Sequence, residues 1–92
     1  MGVHAAHKLR EVVENVWNVL AIEVLCAAQG IDLHRPLRGG PGVEAAHALV
    51  RTRVPPLEHD RPLHRDIEAA HELLASGALV EAAEKGLGRP LE

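Results

Sequence analysis

The chain has no tyrosine and no phenylalanine, and only one tryptophan (Trp17), one methionine and one cysteine (Cys26) in 92 residues, although 47% of it is hydrophobic. Without large rings, its core has to be assembled from alanine, valine, leucine and isoleucine, side chains small enough to let helices approach closely. A lone cysteine excludes an internal disulfide and agrees with a reducing compartment. Placed on an apolar helix, Cys26 is expected to be a buried, inert thiol. The only side-chain hydroxyls are Thr52 and Ser76, which leaves little material for nucleophilic catalysis.

Blocks of like charge are missing too. Ten Lys and Arg are interspersed with thirteen Asp and Glu, for a net charge of -3. A phosphate-binding surface needs clustered basic side chains, so no nucleic-acid partner is expected. Seven histidines and a pI near 6.1 predict poor solubility around that pH. No secretory leader is read near Met1. The most apolar run, Val16 to Ala28, falls short of the roughly 20 residues that span a membrane, and Glu23 interrupts it. The expectation is a cytoplasmic protein with no membrane contact.

What is present in abundance is helical periodicity. Between Val16 and Ala28 only Asn18 and Glu23 are polar, and a helix that is apolar all round must be covered all round. The pattern predicts a first helix over about 4–29, closed by Gly30 in the left-handed conformation that ends many helices. Such a rod is about 39 Å long, whereas a compact domain of this size is roughly 30 Å across. Leu9, Val13, Val16, Leu20 and Ala27 mark one apolar stripe; Val12, Val19, Ile22 and Cys26 mark another. Two stripes imply two packing partners. Leu20, Ile22 and Leu25 are expected to be hidden by other copies of the chain.

The remainder reads as three shorter helices. Residues 31–42, with two prolines and three glycines, form a loop. A helix over about 43–53 turns Val43, Ala46, Leu49 and Val50 inward and stops before Pro55 and Pro56. A polar link anchored by Leu57 and Leu63 leads to a third helix over about 65–75, closed by Gly77. Ser76 is placed to cap a fourth helix over about 78–85, and 86–92 reads as a frayed tail. No strand pattern occurs, so the fold class is all-α, a fragment of a helical bundle.

Candidate chemistry is thin. His4 with His7, and His64 with His71, share helix faces, but a metal site needs three or four ligands and a supporting shell. They read as surface histidines. Arg35, Arg38 and His34 could hold an anion, though a solvated loop explains them as well. Glu23 is the one carboxylate that burial would perturb, more plausibly as a paired structural group than as an acid. No catalytic, cofactor-binding or metal-binding residue is assigned.

The segments KLREVVENV, LAIEVLCAAQGIDL, VRTRVPPLEHDRPL and DIEAAHELLASGAL together resemble the C-terminal end of bacterial histidine ammonia-lyase, a member of the aromatic amino-acid lyases. The resemblance runs from Met1 to about Val80. It implies a largely helical homotetramer whose long helices share a core, and a parent reaction that eliminates ammonia from L-histidine to give trans-urocanate. The implied cofactor is a methylidene-imidazolone formed from an Ala-Ser-Gly in a glycine-rich loop outside this segment. Ala75-Ser76-Gly77 has the same three residues but sits at a helix end, and is not expected to be that site. A Gln-Glu-Asp-His-Val-Ser motif with an active-site Glu precedes the position matching Met1 in the family, and the family's catalytic tyrosines have no counterpart here. The expected role is therefore an oligomerisation and scaffold segment, inactive alone, partnered by itself through helix 1 or by the remainder of the lyase. The other reading is an independent helical self-association module with no enzymatic role.

Overall fold

The computed structural model describes residues 2–91, and those residues form four helices and no strand. They are α1 (Gly2–Leu33), α2 (Pro41–Arg53), α3 (His64–Ala75) and α4 (Ala78–Leu87). The all-α expectation and the order of one long and three short helices hold. The helices pack as two pairs, α1 with α3 and α2 with α4. Ala28, Val50, Val54 and Leu73 join the pairs in one small core, and Val24, Leu25, Leu49, Ala69, Ala78 and Leu79 pack around it.

The boundaries differ from the sequence expectation most at α1. Gly30 does not end the helix, which continues to Leu33. A glycine inside a helix costs about 1 kcal/mol relative to alanine, and tertiary anchors in the following turn outweigh that cost. Gln29 exchanges two hydrogen bonds with the backbone of Leu57, its amide donating to the carbonyl at 3.2 Å and its oxygen accepting from the N–H at 3.0 Å. Asp32 is fixed by Arg51, whose Nε and Nη2 both donate to Oδ2, at 2.9 and 2.7 Å. His34 then closes the end, its Nδ1 donating to the Gly30 carbonyl at 2.8 Å. The left-handed glycines among the described residues are Gly77 and Gly88, at φ 80° and 82°.

Helix α2 starts two residues earlier than expected because Pro41 occupies its first turn, where a missing N–H is harmless. Val43 consequently faces outward and is exposed. Helix α3 begins at His64, and Gly77 ends it as expected. Ser76 closes α3 rather than starting α4, yet its Oγ also accepts from the Ala78 N–H at 3.3 Å. Helix α4 extends through Gly86 and Leu87 to Gly88, so only the end of the expected tail lies beyond it. Gly86 is not frayed: a Cβ there would meet Ala45 Cβ at 2.5 Å and the Pro41 carbonyl at 2.6 Å, so α2 and α4 touch backbone to backbone at this point. Glu92 of that tail lies outside the described residues.

At 32 residues, α1 is about 48 Å long, and the molecule extends 54 × 37 × 17 Å with a radius of gyration of 15.3 Å. A compact chain of this size has a radius near 12 Å. Every described residue up to Val16 is exposed, whereas Ala21 and Ala28 are buried against the rest. By length and composition α1 is long and apolar enough to cross a membrane, with an 18-residue window of mean hydropathy 1.4. The expectation that its apolar run is too short measured only Val16 to Ala28.

Candidate functional site

Successive helical residues turn by 100°, so α1 has two distinct sides. Trp17, Ala21, Val24, Leu25 and Ala28 are at least half-buried, on the side that meets α3 and the core. The Trp17 and His71 rings stack at a tilt, with centroids 5.8 Å apart. On the opposite side Leu9, Val12, Val13, Val16, Val19 and Leu20 fall within about 120° of arc. They are between 39% and 64% exposed, and Ile22 beside them is 45% exposed. An apolar stripe this long on a free surface marks an interaction site.

One charged group stands inside this stripe. Glu23 lies on the open face one turn beyond Val19, and it is exposed rather than buried. Cys26 is likewise exposed, contrary to the expected buried thiol. Both expectations assumed that α1 is covered on all sides, and this chain covers only one.

Beneath the open face, arginines tie the irregular segments into a rigid base. Arg35 grips Glu44 with both terminal nitrogens, at 2.9 and 2.8 Å, Arg38 adds a contact at 3.1 Å, and the Gly39 N–H donates at 2.8 Å. The Arg35 hydrogen bonds, with that of Gly39 and the positive charge nearby, pull the Glu44 carboxyl down to about 2. The anion that Arg35 and Arg38 hold is Glu44 of the same chain, and His34 serves the α1 terminus instead. Around Asp32, burial works to raise the carboxyl, but the hydrogen bonds and charge of Arg51, aided by His47, hold it below its ordinary value of 3.8. His47 Nε2 lies 2.9 Å from Asp32 Oδ1 but lacks hydrogen-bond alignment. Arg61 binds Asp66 and also the Pro55 and Pro56 carbonyls, ordering the link before α3. These arginine clamps had no periodic signature in the sequence.

The remaining candidates are not brought together. His4 and His7 lie one turn apart on the exposed first half of α1 and His64 is exposed at the start of α3, and no group of three metal-ligating side chains occurs among the described residues. Thr52 Oγ1 donates to the Leu49 carbonyl within its own helix. Ser76 Oγ donates to the Leu73 carbonyl and the Gly77 N–H to that of Leu74, so the Ala75-Ser76-Gly77 triplet is engaged in closing α3.

A family model described as aromatic amino acid lyase matches residues 1–52. The chain belongs to the aromatic amino acid lyase family. It is 56% identical to the histidine ammonia-lyase of Sorangium cellulosum over 96% of its own length, which is 17% of that protein. The corresponding enzyme of Symbiobacterium thermophilum is 52% identical over the whole chain and 18% of its own length. That of Anaeromyxobacter sp. is 57% identical over 86% of the chain and 16% of its own length. No solved structure matches. The chain thus spans less than a fifth of the length of the lyases it resembles.

Proposed function

We propose that this chain is the C-terminal scaffold segment of a cytoplasmic histidine ammonia-lyase, serving oligomerisation and support of the active site and inactive alone. The observation that carries the reading is the pairing of high identity across nearly the whole chain with an α1 half of whose length, Gly2 to Val16, has no covering partner. A helix of this kind is made to be buried by other parts of an enzyme. The parent reaction, L-histidine to trans-urocanate and ammonia, would be performed by groups elsewhere in that enzyme. Its electrophilic cofactor would likewise come from another Ala-Ser-Gly, since Ser76 and Gly77 are held in a helix cap.

Two measurements test this. The purified chain should form no urocanate, and its intact mass should show no loss of two waters; turnover or that mass change would refute the reading. Mixing the chain with a lyase truncated before the position of Met1 should recover activity. Indifference would favour a self-association module with no enzymatic role.

A further inference from the structure

We propose that the last turn of α1 is a latched hinge: closed, the helix runs through Gly30 to Leu33; open, it ends at Gly30 in the left-handed conformation and residues 31–34 leave the helix. Local signal and tertiary structure disagree at this turn, and such a conflict leaves two forms in competition. Gly30 is helical, yet glycine is the residue that most often closes a helix, because it takes the left-handed ending without a steric penalty. Nothing lies within 4 Å of the place its Cβ would occupy, so no packing contact on that side fixes its backbone. The hinge involves only contacts within the chain and stands apart from the scaffold reading.

Apolar packing does little to hold the turn closed. One cleft of about 430 Å³ lies between α1 and the α2–α4 pair, another of about 380 Å³ lies against the loop that follows, and Ile31 borders both. Leu33 is 75% exposed. What closes the turn is polar. Arg51 donates twice to Asp32 Oδ2, and His47 Nε2 lies 2.9 Å from Oδ1. Both partners belong to α2, so this latch spans the joint between the rod and the rest of the chain. The ties on either side survive opening: Gln29 to Leu57 comes before the hinge, and Arg35 to Glu44 comes after the turn. The change is therefore confined to one turn. Opening takes Ile31 off the rim of the larger cleft, so the latch sets how wide that apolar cleft stands.

Native-state amide exchange on the 92-residue chain, read by NMR, tests the hinge. Asp32, Leu33 and His34 should exchange together, at least about tenfold faster than Leu25 and Ala28, and low urea should hardly alter their rate, because a local opening exposes little surface. Exchange of the three at the core rate overturns the hinge. Gly30→Ala should slow them at least about fivefold, since alanine resists the left-handed form. Simple fraying beyond a helical residue 30 would leave their rate unchanged, and that result also overturns it. Gly30→Asn should stay within about threefold of the parent chain, as asparagine tolerates the left-handed region; a variant as slow as Gly30→Ala refutes the left-handed open form. Asp32→Asn should speed the three amides at least about fivefold, and no change there would show that Asp32 is not the latch. Circular dichroism verifies that each variant keeps its helices.

Discussion

Two glycine-to-alanine substitutions should move stability in opposite directions, for reasons that lie in the packing. Gly30 lies inside α1 without a left-handed backbone, and a Cβ there would meet nothing within 4 Å. Gly30→Ala therefore removes unfolded-state freedom at no steric cost and should stabilise the chain by about 0.5–1 kcal/mol. Gly86 is also helical, so alanine offers it a similar backbone gain. Its Cβ, however, would stand 2.5 Å from Ala45 Cβ and 2.6 Å from the Pro41 carbonyl. Neither neighbour is the end of a flexible side chain, so α4 would have to move off α2, and overpacking of this kind costs about 1–3 kcal/mol. The net loss should be about 1–2 kcal/mol, against a total stability of roughly 5–14 kcal/mol. In calorimetry on dilute, monomeric protein, Gly30→Ala should raise Tm by roughly 2–8 °C and Gly86→Ala should lower it by roughly 5–15 °C. A loss at Gly30 would mean that α1 ends there in a left-handed residue, as the sequence alone suggested. A gain at Gly86 would mean that α2 and α4 are not in backbone contact.

Glu44 sets an acid limit on the loop. Its carboxyl is lowered from an ordinary 4.5 to about 2, so its contribution is complete above the unfolded value and is lost as pH falls from about 4.5 towards 2. Glu44→Gln should flatten that part of a stability-against-pH curve, and a curve unchanged by the substitution would refute the clamp. Asp32→Asn leaves Arg51 and His47 without their counter-charge where α2 meets α1, and should cost about 1–2 kcal/mol in urea unfolding. Amide exchange should locate that loss in the last turn of α1, residues 29–33. Cys26 is exposed in the free chain and should react with a thiol reagent without denaturant; protection until unfolding would restore the buried thiol.

Periodicity made the helices legible, because apolar spacing in Ile67, Ala70, Leu73 and Leu74 or in Leu49 and Val50 needs only local information. Gly77 was legible for the same reason, as the residue between two apolar-periodic runs. Gly30 misled because the signal that ends a helix is also local, whereas what carries α1 past it is not: Asp32 waits for Arg51, nineteen residues away. The arginine base was invisible for that reason, and so was the function of Arg35, whose partner Glu44 belongs to the next helix. Cys26 and Glu23 were misplaced by a different error. Apolar surroundings in sequence predict burial only if enough protein is present to do the burying.

That shortage gives the open face its meaning. Isolated helices of up to about 15 residues are marginal in water, and every residue of α1 from Gly2 to Val16 is exposed. Its second half is fixed by α3, the small core and the Asp32 clamp. Whatever covers the stripe therefore adds order as well as area, completing a helix whose far end is already anchored. In a full lyase the same arrangement would couple folding of this segment to assembly: the base made by α2, α3 and α4 presents α1, and the helix reaches its full stability only when Leu9, Val12, Val16 and Val19 leave water together.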